Sequence, residues 1–106
     1  MSKAEAAAPI FAALGDPTRL AILARLSDGS ERSISALSSG GGLTRQAVSK
    51  HLGVLARVGL VEASRVGRES RFRYRPGGLE QARTYLETVS AQWDEALGRL
   101  KRMVEG

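Results

Sequence analysis

Three consecutive glycines, Gly40 to Gly42, stand just before a polar and basic run, Thr44-Arg45-Gln46-Ala47-Val48-Ser49-Lys50. Glycine at a helix entrance suits two chemistries: a loop whose backbone cradles phosphate, or a tight turn between two helices, one of which reads DNA. A phosphate loop needs the frame G-x-x-x-x-G-K-[ST], and no Gly-Lys pair follows at that distance from any of the three glycines. A DNA-reading helix needs short side chains and hydrogen-bond donors near its N-terminal end. Thr44, Arg45, Gln46, Ser49 and Lys50 meet that need, with Gly53 beyond them. Arginine or lysine can pair with guanine and glutamine with adenine in the major groove. No carboxylate occurs from Ser33 to Gly59, so nothing there repels phosphate. A solvated helix face that happens to lack acids is the plainer account of the same residues.

A second cationic group bears on that choice. Arg71-Phe72-Arg73-Tyr74-Arg75 alternates strictly, with arginines on one strand face and aromatics on the other. Arg68 falls in the preceding turn, Gly67 to Ser70. Arginines on a hairpin suit phosphate contacts, and a tip arginine suits the minor groove. Charge guarding an edge strand against aggregation accounts for one or two of them. Four beside a basic helix favour DNA.

Other chemistries find little support. Cysteine is absent and His51 is the sole histidine, so no nucleophile–base–orienter set can be assembled, and no enzyme is expected. Thiolate metal sites are excluded. Glu80, Glu87, Asp94 and Glu95 near the C-terminus lack the imidazole that transition-metal sites employ, and they read as a solvated helix face. His51, beside Leu52, reads as a packing or hydrogen-bonding residue or a phosphate contact. Neither a cofactor nor a metal is expected.

At 106 residues the chain is expected to form a single domain with one modest core. The net charge of +5 is unevenly placed. Arg32 to Arg75 hold nine basic residues against two acidic ones, whereas the flanks hold seven against nine. A central anion-binding surface between two structural ends follows. No apolar run approaches the roughly 20 residues of a membrane span, and the short alanine-rich N-terminus makes a poor signal peptide. A soluble cytoplasmic protein with no membrane partner is expected.

The positioning elements can be read in order. Residues 1–8 are expected to be a flexible tail, with Pro9 opening a first helix that carries Ile10, Phe11 and Leu14. Asp16-Pro17 is an N-cap followed by N1 proline, and the second helix should bury Leu20, Leu23 and Ala24, widened by Ile22 and Leu26. Ser33 should cap a short third helix, which the glycines stop at about 1 kcal/mol each relative to alanine. Thr44 should cap the fourth, burying Ala47, Val48, Leu52, Leu55 and Ala56 and ending at Gly59. Leu60–Val66 and Arg71–Arg75 should pair as a hairpin. The last helix, over 79–105, places Ala82, Leu86, Val89, Trp93, Ala96, Leu100 and Met103 at heptad spacing, with Leu79, Leu97 and Val104 as a second edge. That is more apolar surface than a small domain can cover, and it points to a second copy of the chain. A single wide intramolecular face is the competing reading. The fold expected is mainly α with a small β-hairpin, a winged helix-turn-helix in the order α-α-α-α-β-β-α.

ALGDPTRLAILARL (13–26), LTRQAVSKHLGVLARVGLVEA (43–63) and GRESRFRYRP (67–76) resemble the ArsR family of bacterial transcriptional regulators. The similarity runs over roughly residues 10–104, and the pattern V-S-x-H-L-x-V-L-x-x-x-G-L-V is specific to that family. YLETVSAQWDEALGRLKRMVE resembles a subgroup whose last helix carries a tryptophan followed by an acid. The resemblance implies a homodimer joined through the first and last helices, by Phe11, Leu86, Val89, Trp93, Ala96, Leu100 and Met103. It implies a palindromic operator in double-stranded DNA, and usually repression. By the motif match Thr44, Arg45, Gln46, Ser49 and Lys50 take the positions that face DNA; Arg68, Arg71 and Arg73 join them on the reading of the hairpin above. Relatives put a larger apolar residue about where Gly41 sits and run the third helix longer. Many relatives sense metals, for which this chain lacks ligands; a small-molecule effector stays open. The alternative is a winged-helix protein-interaction module that does not bind specific DNA, and it would have no need of an acid-free helix face.

Overall fold

The computed structural model describes residues 2–106. The chain runs α1 (Lys3–Leu14), α2 (Pro17–Arg25), β1 (Arg32–Ser33), α3 (Ile34–Ser38), α4 (Arg45–Arg57), β2 (Val61–Val66), β3 (Glu69–Tyr74) and α5 (Glu80–Glu105).

The first helix starts earlier than the proline suggests, and residues 2–8 are not a loose tail. Ser2 caps α1 in a capping box: its Oγ accepts from Glu5 N at 3.1 Å while the Glu5 carboxylate accepts from Ser2 N at 3.4 Å. Alanines, the best helix formers, carry the chain onward, and Ala7, Ile10 and Ala13 are buried at helical spacing. Pro9 sits within the helix rather than at its first position. It lies on the exposed side, where the carbonyl it leaves unbonded, that of Glu5, can be hydrated.

In α2, Asp16 accepts from Thr18 N at 2.8 Å and Arg19 N at 3.1 Å, with Pro17 opening the helix as expected. The buried residues are Ile22, Leu23 and Leu26; Leu20 is 51% exposed and Ala24 is also exposed. Both residues line an open apolar groove whose far wall is Tyr74 and Leu79. In α4 the stripe Val48, Leu52, Leu55 is fully buried, whereas Ala47 is half-buried and Ala56 exposed. The core cluster joins these residues to Ile10, Ala13, Leu37, Leu60, Val61 and Ala82, with Phe72 and Tyr74 packed against it from the sheet.

The sheet has three antiparallel strands in the order β1-β3-β2, so the expected hairpin gains a short third strand. Arg32 pairs with Phe72 and Ser33 with Arg71. On the other side β2 runs against β3 from Val61↔Tyr74 to Val66↔Glu69. The turn is only Gly67-Arg68, with Gly67 at φ 63° and Arg68 at negative φ, which fits a type II′ hairpin turn. Behind the hairpin, a Cβ on Gly78 would meet the carbonyl oxygen of Gly59 at 2.6 Å, so only glycine lets this turn seat on the end of α4.

α5 touches the rest of the fold along α1. Ala82 enters the core, and Phe11 meets Tyr85 with ring centroids 6.1 Å apart and planes at 60°. Beyond that the helix projects. The molecule measures 67 × 29 × 22 Å.

Candidate nucleic-acid interface

The turn containing Gly40 to Gly42 joins α3 to α4, with Gly40 at φ 77° and Gly42 at φ 70°. The expected short third helix is there, five residues capped by Ser33, and it stops before the glycines. Leu43 follows half-buried, and Thr44 begins α4 by accepting from Ala47 N at 3.0 Å. Its hydroxyl proton stays available for an outside acceptor.

With Val48, Leu52 and Leu55 turned inward, the 100° step of an α-helix places Gln46, Lys50, Gly53 and Arg57 on the opposite side. Ser49 borders this stripe, whereas Arg45, in the first turn, lies near the direction of Leu52 and reaches solvent because the helix begins there. Arg45, Gln46, Ser49 and Lys50 are all exposed, as is Arg57. Arg57 thus extends the expected face by two turns. Its spacing from Gln46, Lys50 and Gly53 was available in the sequence as the signal.

The wing behaves differently from expectation. Residues opposite one another in an antiparallel pair share a sheet face, so the register puts Glu62, Ser64 and Val66 on the side of Arg71 and Arg73. Glu62 holds Arg73, with Nε donating at 2.7 Å. Glu69 takes Arg71 at 3.5 Å. Both arginines proposed for DNA therefore have a carboxylate beside them. Arg68 occupies the turn, and Arg65, opposite Ser70, lies on the other sheet face. A cleft between the wing and the start of α4 is lined by Ser35, Arg45, Arg68 and Ser70. The structure thus brings Arg45 and Arg68 to one cleft.

Three other arginines serve the scaffold. Arg19 donates to the carbonyls of Ala13 (2.8 Å) and Ala12 (3.3 Å) at the end of α1. Arg32 donates to Arg25 O (3.1 Å) at the end of α2, and Arg25 to Leu37 O (2.9 Å) and Ala36 O (3.2 Å) at the end of α3. Each satisfies carbonyls that a helix terminus leaves open. Among the described residues, Arg45, Lys50, Arg57, Arg65, Arg68 and Arg75 have no carboxylate partner within ion-pair distance. Lys3, Arg25 and Arg102 are likewise unpaired, but they are scattered over α1, α2 and α5, whereas these six cluster on α4 and the wing.

Asp16 is the carboxylate nearest this region on α2. The backbone N–H of Arg19 chiefly, then that of Thr18 and the charges of Arg19 and His51, hold it below the ordinary 3.8 against some desolvation. His51 is half-buried on the flank of α4, within electrostatic reach of Asp16. On α5, Glu80 and Glu87 pair with Arg83 and Glu95 with Arg99 along the same helix. Among the described residues no three His, Asp or Glu side chains converge as a metal site would require. Among the described residues no single helix is long and apolar enough to cross a membrane.

The seam of α5 is divided. Ala82 is buried, Val89 and Ala96 are half-buried, and Leu86, Trp93, Leu97, Leu100, Met103 and Val104 are exposed, Trp93 by 64% and Met103 by 78%. Phe11 is half-buried against Tyr85 of the same chain.

Residues 14–63 match a family model described as a helix-turn-helix domain. An HTH-type transcriptional regulator of Methanocaldococcus jannaschii is 37% identical over 67 residues, 63% of this chain and 75% of that protein. An ArsR-like transcriptional regulator from Rhodococcus sp. RHA1 is 42% identical, covering 93% of this chain and 92% of its own, with a TM-score of 0.78. The homodimeric winged helix-turn-helix DNA-binding domain of a possible ArsR-family regulator from Mycobacterium bovis is 32% identical over 83% of this chain and 80% of its own, with a TM-score of 0.64. Similarity over nearly the whole chain, on a basic second helix of a helix-turn-helix flanked by a wing, places this protein in the ArsR family of winged helix-turn-helix transcriptional regulators.

Proposed function

We propose that the protein is a homodimeric repressor, acting in the cytoplasm on a palindromic operator and needing no metal effector. One observation carries the DNA reading: on α4 and the wing, Arg45, Lys50, Arg57, Arg65 and Arg68 are without carboxylate partners, while Arg19, Arg25 and Arg32 are tied to helix ends and Arg83 and Arg99 to acids of α5. Gln46, Ser49 and Lys50 enter the major groove, Thr44 and Arg45 meet the backbone at the start of α4, and Arg68 follows a neighbouring phosphate or the minor groove. Arg71 and Arg73 contribute less, since Glu69 and Glu62 offset them.

The exposed stretch of α5 from Leu86 to Val104, together with the homodimeric relative, supports pairing through α1 and α5. The absence of cysteine, and carboxylates paired along α5, support regulation without metal. Mobility shifts on the DNA upstream of the gene test the reading at about 150 mM salt, where counterion release has weakened non-specific complexes. Retardation of that DNA and not of unrelated DNA is expected. Equal binding to both leaves the protein-interaction module as the better account.

A further inference from the structure

The glycine turn also forms one wall of a groove. Pro17, Thr18, Ala21 and Ile22 of α2 line it on one side, Leu37 of α3 and Leu43 on the other, with Gly41 at its mouth and Arg25 at its rim. A Cβ placed on Gly41 would meet no atom within 4 Å, and its φ is not in the positive range, so the space beside it is open to any side chain. The lining is mostly apolar, yet the rim holds a cation. The Arg25 guanidinium gives one N–H each to Leu37 O and Ala36 O and has no carboxylate within ion-pair distance among the described residues. Donors on the guanidinium remain free for an anion. Apolar walls beneath one unneutralised guanidinium are complementary to a small carboxylate with a hydrocarbon body.

We propose that this groove binds a medium-chain aliphatic carboxylate, its hydrocarbon against Ala21, Ile22, Leu37 and Leu43 and its carboxylate on Arg25. Bound there, the ligand braces the turn from which Thr44 starts the DNA-reading helix. It thereby raises affinity for DNA by fixing the first turn of α4 in advance. This bracing rests on the DNA-binding reading; the binding itself does not.

Octanoate is the probe, titrated into the ¹⁵N-labelled full chain, with octanol as the uncharged control. Saturable amide shifts confined to residues 21–25 and 37–44 are expected, in the millimolar to submillimolar range that so small a ligand supports. Octanol should bind at least tenfold more weakly. Gly41→Leu fills the space and should abolish the shifts with the fold intact by circular dichroism. Arg25→Lys should keep binding within a few-fold, whereas Arg25→Gln should lose tenfold or more. Shifts that are absent, that fall on α5, or that survive Gly41→Leu overturn the proposal. Groove shifts produced by dilution alone would assign the space to a second copy and overturn it too. On upstream DNA, octanoate and Gly41→Leu should each raise affinity several-fold, and no change in either overturns the bracing. Failure of every form to bind DNA counts against the proposed function, while the amide shifts still decide the groove.

Discussion

At the scale of single residues, charge balance separates arginines that pattern alone treats alike. Arg71 and Arg73 alternate with aromatics as a DNA-facing strand should, but Glu69 shares their face two residues before Arg71 and strand register brings Glu62 onto it from β2. Glu62→Gln removes the partner of Arg73 without touching the core. It is expected to tighten binding to all DNA a few-fold and to steepen its salt dependence, measured by fluorescence anisotropy across a salt series. Arg68→Ala should weaken all sequences alike and lower the salt slope by about 1, whereas Gln46→Ala should change which base is preferred at one operator position. Identical effects of these last two on every operator variant would refute the division between backbone and base contacts. Asp16 offers a pH test. Its carboxyl is held below 3.8 mainly by the Arg19 N–H, so the folded state favours the ionised form. That contribution is complete above the unfolded value and disappears as pH falls through the lower folded value. Urea midpoints should decline over this acidic window, and Asp16→Asn should remove part of the decline.

At the scale of elements, the parts whose cause is local could be read from the sequence. Asp16-Pro17, Ser33 and Thr44 cap the helices they were expected to cap, and Val48, Leu52 and Leu55 form the buried stripe of α4. Leu52→Ala should cost about 2–5 kcal/mol in urea unfolding, since the fully buried stripe leaves a cavity that cannot collapse. Features set by distant partners were not legible. The strand at Arg32–Ser33 exists because β3 has a free edge there, and two residues carry no periodicity of their own. Leu20 has the spacing of a core residue but faces a groove that the sheet and α5 leave open. Pro9 hid the start of α1 because its break in the ladder falls on the solvent side, which only the packing against α5 decides. Within the candidate site, the α4 face was read correctly as exposed; the Arg71–Glu69 pair follows from alternation along one strand, but the pairing of Arg73 depends on register, and register on turn length. Gln46, Lys50 and Arg57 share a face by helical step alone; Glu62 and Arg73 meet only once Gly67-Arg68 makes the turn.

At the scale of the whole molecule, the Cα radius of gyration is 18.3 Å, against about 13 Å for a compact domain of this length. The excess is α5, whose exposed Trp93, Leu97, Leu100 and Met103 lie along the projecting part of the helix. On the proposed pairing through α5, Trp93→Glu should shift the protein from dimer to monomer in sedimentation velocity while leaving α4 and the wing folded. A second consequence concerns the operator. If two copies join through stiff helices, the two α4 elements are held at a fixed separation and rotation about the DNA axis. Two-fold dimers of this kind place their recognition helices one turn of B-DNA apart, roughly 34–36 Å. Inserting about 5 base pairs at the centre of the palindrome turns one half-site to the opposite face of the duplex. Affinity should then fall to that of an isolated half-site, and the Trp93→Glu monomer should bind intact and interrupted operators equally. Retention of full affinity on the interrupted operator would mean that the two DNA-reading units are flexibly joined, and α5 would not be the rigid spacer its length and exposed seam suggest.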